Sequence, residues 1–75
     1  MNEVLLKFYN LGYKLKEHTE NSIILYKDRE YTTDILFINL NLGRFTKYKE
    51  TCGISYIYAE ELQLILKIFE IKGVL

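Results

Sequence analysis

The closing stretch of the chain, Ala59 to Val74, constrains the fold most strongly, because it predicts a helix with two apolar faces. At about 100° of rotation per residue, one apolar set recurs at the i, i+3, i+4, i+7 spacing of a core-facing stripe. That set is Leu62, Ile65, Leu66 and Phe69. A second set, roughly 145° away around the axis, consists of Leu64, Ile68, Ile71 and Leu75. Each stripe requires a neighbour, and a 75-residue chain has few elements to supply one.

Two interpretations of the second stripe stay open. In the first, another helix of the same chain lies beside it, as general packing rules favour. In the second, the stripe is an exposed ridge that forms a dimer seam or binds another protein. Simple exposure is the remaining alternative, because scattered Leu and Ile side chains are normal on protein surfaces.

The rest of the chain predicts one compact α+β domain over residues 1–75. A short helix is predicted from Asn2 to Leu11, with Gly12 ending it. Period-two alternation then predicts four strands over residues 13–18, 22–27, 30–40 and 44–50, the first an exposed edge strand. Asp28-Arg29 and Asn41-Leu42-Gly43 are the predicted turns. We therefore expect a two-layer fold in the order α-β-β-β(-β)-α. Three to four antiparallel strands form one layer, and both helices pack on one face of the sheet.

With both helices on one face, the other face of the sheet is expected to be unusually apolar for a solvent-facing surface. We predict that it carries Ile24, Tyr26, Leu36, Ile38, Leu40 and Tyr48. Small domains are often marginal alone, and Tyr, present seven times, is enriched at interfaces. We therefore predict a homodimer or partner-binding interface built from the helical ridge and this face. Its residues are Leu64, Ile68, Ile71, Leu75, Leu36, Ile38, Tyr26 and Tyr48.

The start of the closing helix lacks the usual capping signal. Helices commonly begin with Ser, Thr, Asp or Asn three residues before a Glu, but here Tyr58 stands three residues before Glu61. Either Ser55 caps an earlier turn, or Tyr58 serves a contact elsewhere. We favour the Ser55 cap.

Charge disfavours, but leaves open, a nucleic-acid function. Ten basic and ten acidic residues cancel, whereas non-specific phosphate binding needs a positive surplus. The alternative to a protein-binding function is a local basic patch, interleaved with Phe45 and Tyr48, that binds single strands on the sheet. Its candidate residues are Arg44, Lys47, Lys49, Lys14 and Lys16.

Catalytic and metal chemistry find little support in the residue types present. The chain has one cysteine, Cys52, and one histidine, His18, so it has neither an internal disulfide nor a Cys-rich zinc site. Three carboxylates, Asp28, Glu30 and Asp34, surround one predicted turn, where ordinary solvation is the favoured explanation. We predict no catalytic residue, no metal and no cofactor. No signal peptide and no apolar run of about 18 residues is present, so we expect a cytoplasmic protein without a membrane partner.

Several short phrases resemble one class of proteins. They comprise Phe8, Leu11, Gly12 and Tyr13, then Ile23, Ile24, Tyr26 and Lys27, then Ile35 and Phe37, and finally Glu60, Glu61 and Leu62. This pattern resembles short, mostly uncharacterised proteins encoded by phages and prophages of low-GC Gram-positive bacteria. The chain departs from the pattern at Tyr58 and lacks the Gly-Trp ending of such proteins. The resemblance carries no site residues. It implies an accessory protein that binds and inhibits a host protein such as a defence nuclease.

Overall fold

The computed structural model describes all residues, Met1–Leu75, and contains two helices and four strands. In chain order these are α1 (Asn2–Asn10), β1 (Lys14–His18), β2 (Ser22–Asp28), β3 (Thr33–Asn39), β4 (Arg44–Lys49) and α2 (Ala59–Lys72). The strands form one antiparallel sheet in the order β1-β2-β3-β4. Consecutive hairpins of alternating sequence produce this order directly. The predicted α-β-β-β-β-α architecture is confirmed.

The hydrophobic core lies between the two helices and one face of the sheet. Phe8 of α1 is fully buried there, and its ring packs edge-on against Tyr13 at a centroid distance of 5.7 Å. The sheet supplies alternate residues of its two central strands, and α2 supplies three side chains. The core cluster is Val4, Leu5, Phe8, Tyr13, Ile23, Leu25, Leu36, Ile38, Leu40, Ile65, Ile68 and Phe69.

Strand register determines which face of the sheet each residue occupies. Leu25 of β2 lies opposite Leu36 of β3, and both are fully buried under the helices. Ile38 and Leu40 follow Leu36 at two-residue spacing and are buried on the same side. The prediction that Leu36, Ile38 and Leu40 lie on the uncovered face was therefore wrong. Alternation fixes which residues of one strand share a face. The pairing register then decides which residues of the neighbouring strand lie on that same face.

The edge strand β1 contains a register shift. Leu15 lies opposite Leu25, but the next paired residue, Glu17, lies opposite Ile24, so Lys16 is the extra residue of a β-bulge. Glu17 therefore lies on the Ile24 side of the sheet. Strict alternation would place Glu17 on the same side as Leu15, and the bulge interrupts that alternation.

Helix α2 has one core face rather than two. Ile65, Ile68 and Phe69 are buried in the core, and Glu61 is buried on the same side of the helix. This face lies between the two predicted stripes and takes residues from both. The prediction that Ile68 belongs to an exposed ridge was therefore wrong. The helix ends at Gly73, which has a left-handed φ of 74°.

Candidate interaction surface

The face of the sheet that points away from the helices carries a block of apolar side chains on its two central strands. Tyr26 of β2 lies opposite Ile35 of β3, and Ile24 lies opposite Phe37. Ile35 is only 4% exposed although it lies outside the core cluster, because the neighbouring side chains on this face surround it. We call these four residues the apolar block, and this side of the sheet the open face.

The apolar block continues across β4 to the segment that follows it. Tyr48 of β4 lies opposite Ile35, and Ile54 forms an isolated antiparallel bridge with Tyr48. Because paired residues point to the same side of a sheet, Ile54 adds a further apolar side chain to the open face. Tyr48 is 41% exposed and Ile54 is 82% exposed. The open face thus presents one continuous apolar row from Tyr26 to Ile54.

The predicted interface residues divide into three groups. Tyr26 and Tyr48 lie on the open face, as predicted. Leu36, Ile38 and Ile68 are fully buried in the core and cannot contact a partner. Leu64 packs partly against the core, whereas Ile71 and Leu75 remain exposed on α2 and beyond it.

The helical ridge is therefore not continuous. The structure brings Leu64 close to Leu11 at the α1–α2 junction, where both line a surface pocket. That placement matches the first interpretation of the second stripe, in which a helix of the same chain lies beside it. Sequence reasoning missed Phe37 and Ile54 as interface candidates, and it missed Ile35 as the buried centre of the open face.

Charged residues surround the apolar block at the margins of the open face. Lys14 and Lys16 of β1 flank it on one side, where Lys14 approaches Asp28 at 3.9 Å and lies 5.9 Å from the centre of the Tyr26 ring. Lys16, Asp28 and Glu50 line a pocket of about 340 Å³ together with Tyr26, Thr33 and Ile35. An apolar centre with a charged rim is the usual anatomy of a protein–protein interface.

A buried ion pair lies on the opposite, helix-covered side of the sheet. The Lys47 ammonium of β4 donates to both carboxylate oxygens of Glu61 at 2.9 and 3.2 Å, and their side chains are 2% and 4% exposed. The Tyr13 hydroxyl donates to Glu61 Oε2 at 2.5 Å. Lys47 also lies 4.9 Å from the centre of the Tyr58 ring. Removing one partner of such a pair typically costs about 3–5 kcal/mol, because the other charge stays buried.

The Asp34 carboxylate is a second buried charge, and it is also paired. Arg29 Nε donates to Asp34 Oδ2 at 2.6 Å, and the Ser55 hydroxyl donates to Oδ1 at 3.1 Å. Asp34 is 2% exposed. No buried side-chain nitrogen or oxygen in the molecule lacks a hydrogen-bond partner. These polar groups therefore satisfy one another and tie the sheet to the segment before α2.

The surroundings of these acids shift their pKa values downward. Burial alone would raise the pKa of Glu61, but the hydrogen bonds from Tyr13, the Tyr58 N–H and Lys47 outweigh it and lower the pKa. Burial likewise opposes the ionised form of Asp34, but Arg29 and Ser55 bring its pKa below the ordinary value. Burial and the bond to Glu61 raise the pKa of the Tyr13 hydroxyl. Glu61 and Asp34 are thus held as carboxylates.

Tyr58 is the N-cap residue of α2, and the expectation that Ser55 caps an earlier turn was wrong. Ser55 does not cap an earlier turn, since its hydroxyl donates to Asp34. Instead the Glu61 carboxylate accepts the backbone N–H of Tyr58 at 3.0 Å, which satisfies one of the free donors at the helix start. Sequence reasoning missed this role of Glu61. The signal for it was the position of Glu61 three residues after Tyr58, the N-cap residue.

The five basic candidates for nucleic-acid binding do not form one patch. Arg44 alternates with Lys47 and Lys49 across β4, so Arg44 lies on the open face and the two lysines lie on the helix side. Lys47 is committed to Glu61. Lys14 and Lys16 are on β1, at the far edge of the sheet from β4. The predicted patch is therefore split between two faces and two edges.

The remaining candidates for chemistry lie far apart. His18 is on edge strand β1 and Cys52 follows β4, so the full width of the sheet separates them. Both side chains are exposed. Asp28 and Asp34 point to opposite sides of the sheet. No group of three or more His, Cys, Asp or Glu side chains is arranged to hold a metal ion.

Neither helix is long and apolar enough to cross a membrane. Comparison with known proteins gives no match to a family model, to a curated protein or to a solved structure.

Proposed function

We propose that this chain is a non-enzymatic protein–protein interaction module that binds another protein through its open face. The observation that carries the proposal is the apolar block, Ile24, Tyr26, Ile35 and Phe37, which neither helix covers. Tyr48 and Ile54 extend it toward solvent. Covering such a surface is favourable at roughly 25 cal/mol per Å² of apolar area.

The composition of the open face fits protein binding better than solvent exposure. Half-buried Tyr side chains present an apolar ring and a polar hydroxyl, which suits a surface that is wet before binding and dry afterwards. The charged margins supply a polar rim. The pairing of the buried acids with Lys47 and Arg29 supports a structural role for them rather than a catalytic one.

If the chain is phage-encoded, as the resemblance to small phage proteins implies, its proposed target is a host protein such as a defence nuclease. The compartment is then the host cytoplasm. Nucleic acid is the less favoured partner, because the basic residues are divided between the two faces of the sheet. Oligonucleotide binding that weakens as the salt concentration rises would favour this alternative.

Site-directed photo-crosslinking tests the proposal. A photoreactive side chain in place of Thr46, which is exposed on the open face opposite Phe37, should form covalent adducts with protein in cell extract. The same side chain in place of Gln63, which is exposed on α2, should form few adducts. Mass spectrometry identifies the partner in each adduct, including a second copy of the chain.

A pair of substitutions controls for nonspecific capture. Ile54→Glu places a charge on the open face, and Leu6→Glu places one on the outer side of α1; these positions are 82% and 58% exposed, so both variants should fold. Ile54→Glu should remove most of the adducts from position 46, and Leu6→Glu should not. Equal adducts from positions 46 and 63, or equal loss with both substitutions, would rule out the open face as the binding surface.

A further inference from the structure

We propose that the partner that fits the open face is a second copy of this chain, packed face to face about a twofold axis. The inference rests on the proposed function, and it assigns the open face to a second copy of the chain in place of a host protein. It is carried by the arrangement of charges around the apolar block, which makes the face complementary to itself.

The charges occupy four corners of the open face and alternate in sign. On β1, Lys14 lies level with Tyr26, and Glu17 lies level with Ile24, so one corner is basic and the next is acidic. On the other side, Arg44 lies level with Asn39 beyond Phe37. Glu50 follows β4 level with Thr33, since its N–H donates to the Thr33 carbonyl. The two basic corners are therefore diagonal to each other, and so are the two acidic corners.

A twofold axis that lies in the plane of the open face brings opposite charges of the two copies together. An axis along the strands places β1 of one copy over β4 of the other, which sets Lys14 against Glu50 and sets Glu17 against Arg44. An axis across the strands places each strand over its own copy. It then sets Lys14 against Glu17, and Glu50 against Arg44. Every pairing occurs twice, because the interface is isologous.

The apolar block occupies the centre of this pattern. It spans two rows on the two central strands, so either axis superposes it on its own copy. Both axes keep the strands of the two sheets roughly aligned, as in sheet packings with faces about 10 Å apart. An orthogonal packing would rotate about a diagonal and place like charges over like, which disfavours it.

Charge balance removes the usual obstacle to self-association. The open face carries three basic side chains, Lys14, Lys16 and Arg44, and three acidic ones, Glu17, Asp28 and Glu50. The whole chain is also neutral, with ten residues of each sign. Two copies therefore approach without net repulsion, and the alternating corners fix their relative orientation.

Light scattering or sedimentation across a concentration series, with a charge-swap series, tests the inference. The protein should be a dimer. Glu50→Lys should raise the dimer dissociation constant roughly tenfold by placing like charges together at two symmetric corners. Glu3→Lys, the same change on the outer side of α1, should leave the constant unchanged.

A second charge change should restore dimerisation in the Glu50→Lys variant. Lys14→Glu restores it if the axis runs along the strands, and Arg44→Glu restores it if the axis runs across them. A monomer at every concentration would overturn the inference, and so would a dimer that Glu50→Lys leaves unchanged. A monomer that still crosslinks from position 46 to a different protein would refute self-association while leaving the proposed function intact.

Discussion

At the scale of single residues, Glu61 connects three parts of the molecule. Its carboxylate accepts hydrogen bonds from Tyr13 before β1, from Lys47 on β4 and from the Tyr58 N–H at the start of α2. A carboxylate with several donors remains ionised despite burial. The molecule therefore depends on one acid to join the edge of the sheet, its far strand and the closing helix.

This arrangement predicts acid sensitivity. The folded pKa values of Glu61 and Asp34 lie below their ordinary values of 4.5 and 3.8, so the unfolded chain takes up more protons on acidification. The free energy of unfolding should fall as the pH drops below about 5 and continue to fall through the folded pKa values. Denaturant titrations at a series of pH values measure this slope.

Two neighbouring substitutions make the acid-sensitivity measurement specific. Glu61→Gln should flatten part of the slope, since it removes a group with a depressed pKa, whereas Glu60→Gln, at an exposed neighbouring position, should keep it. A wild-type stability that is constant down to about pH 3 would contradict the ion-pair account.

At the scale of elements, alternation predicted which residues within one strand of the sheet share a face, but not how these sets combine across strands. Alternation correctly separated Ile35 and Phe37 from Leu36 and Ile38. The prediction that Leu36 and Ile38 share a face with Ile24 and Tyr26 was wrong, although turn length indicates the correct grouping. An even number of residues in a hairpin turn places even-numbered residues of one strand opposite odd-numbered residues of the next. The predicted two-residue turn Asp28-Arg29 and the observed four-residue connection both put Tyr26 on the same face as Ile35, so the grouping of these residues on one face was predictable.

The β3–β4 turn and the C-terminus make a tight contact that gives an element-scale prediction. Gly43 has a left-handed φ of 63°, and a Cβ there would lie 3.0 Å from the Val74 carbonyl oxygen. Gly73 has a φ of 74° with open space around it. Gly73→Ala should cost about 1 kcal/mol of unfolding free energy from backbone strain alone. Gly43→Ala should cost more, because the close carbonyl adds to the strain.

Thermal or denaturant unfolding of the two glycine variants checks the order of their effects. Equal losses for Gly43→Ala and Gly73→Ala would show that the Val74 contact is not formed in solution. A loss at neither position would contradict the left-handed turn conformations themselves.

At the scale of the whole molecule, element order, layer arrangement and a surplus of apolar surface were all predictable from the sequence. The location of that surplus was not, because an apolar stripe on α2 can turn inward. Ile68 faces the core. Glu61 faces the same way, because Lys47 and Tyr13 satisfy the charge of its carboxylate. A buried acid on a core face has no signature in periodicity, because its partners come from distant elements. Apolar surface outside the core therefore lies on the open face of the sheet, while Leu66 and Ile71 also remain exposed on α2.

The open face as an interface between two copies can be observed directly by isotope-filtered NMR. In a mixture of labelled and unlabelled protein, nuclear Overhauser effects between copies arise only from atoms in contact across the interface. We expect such effects among the side chains of the apolar block, with Phe37 and Tyr26 rings near methyl groups of Ile24 and Ile35. Effects confined to α1 and α2, or none at concentrations where a dimer should form, would contradict this expectation.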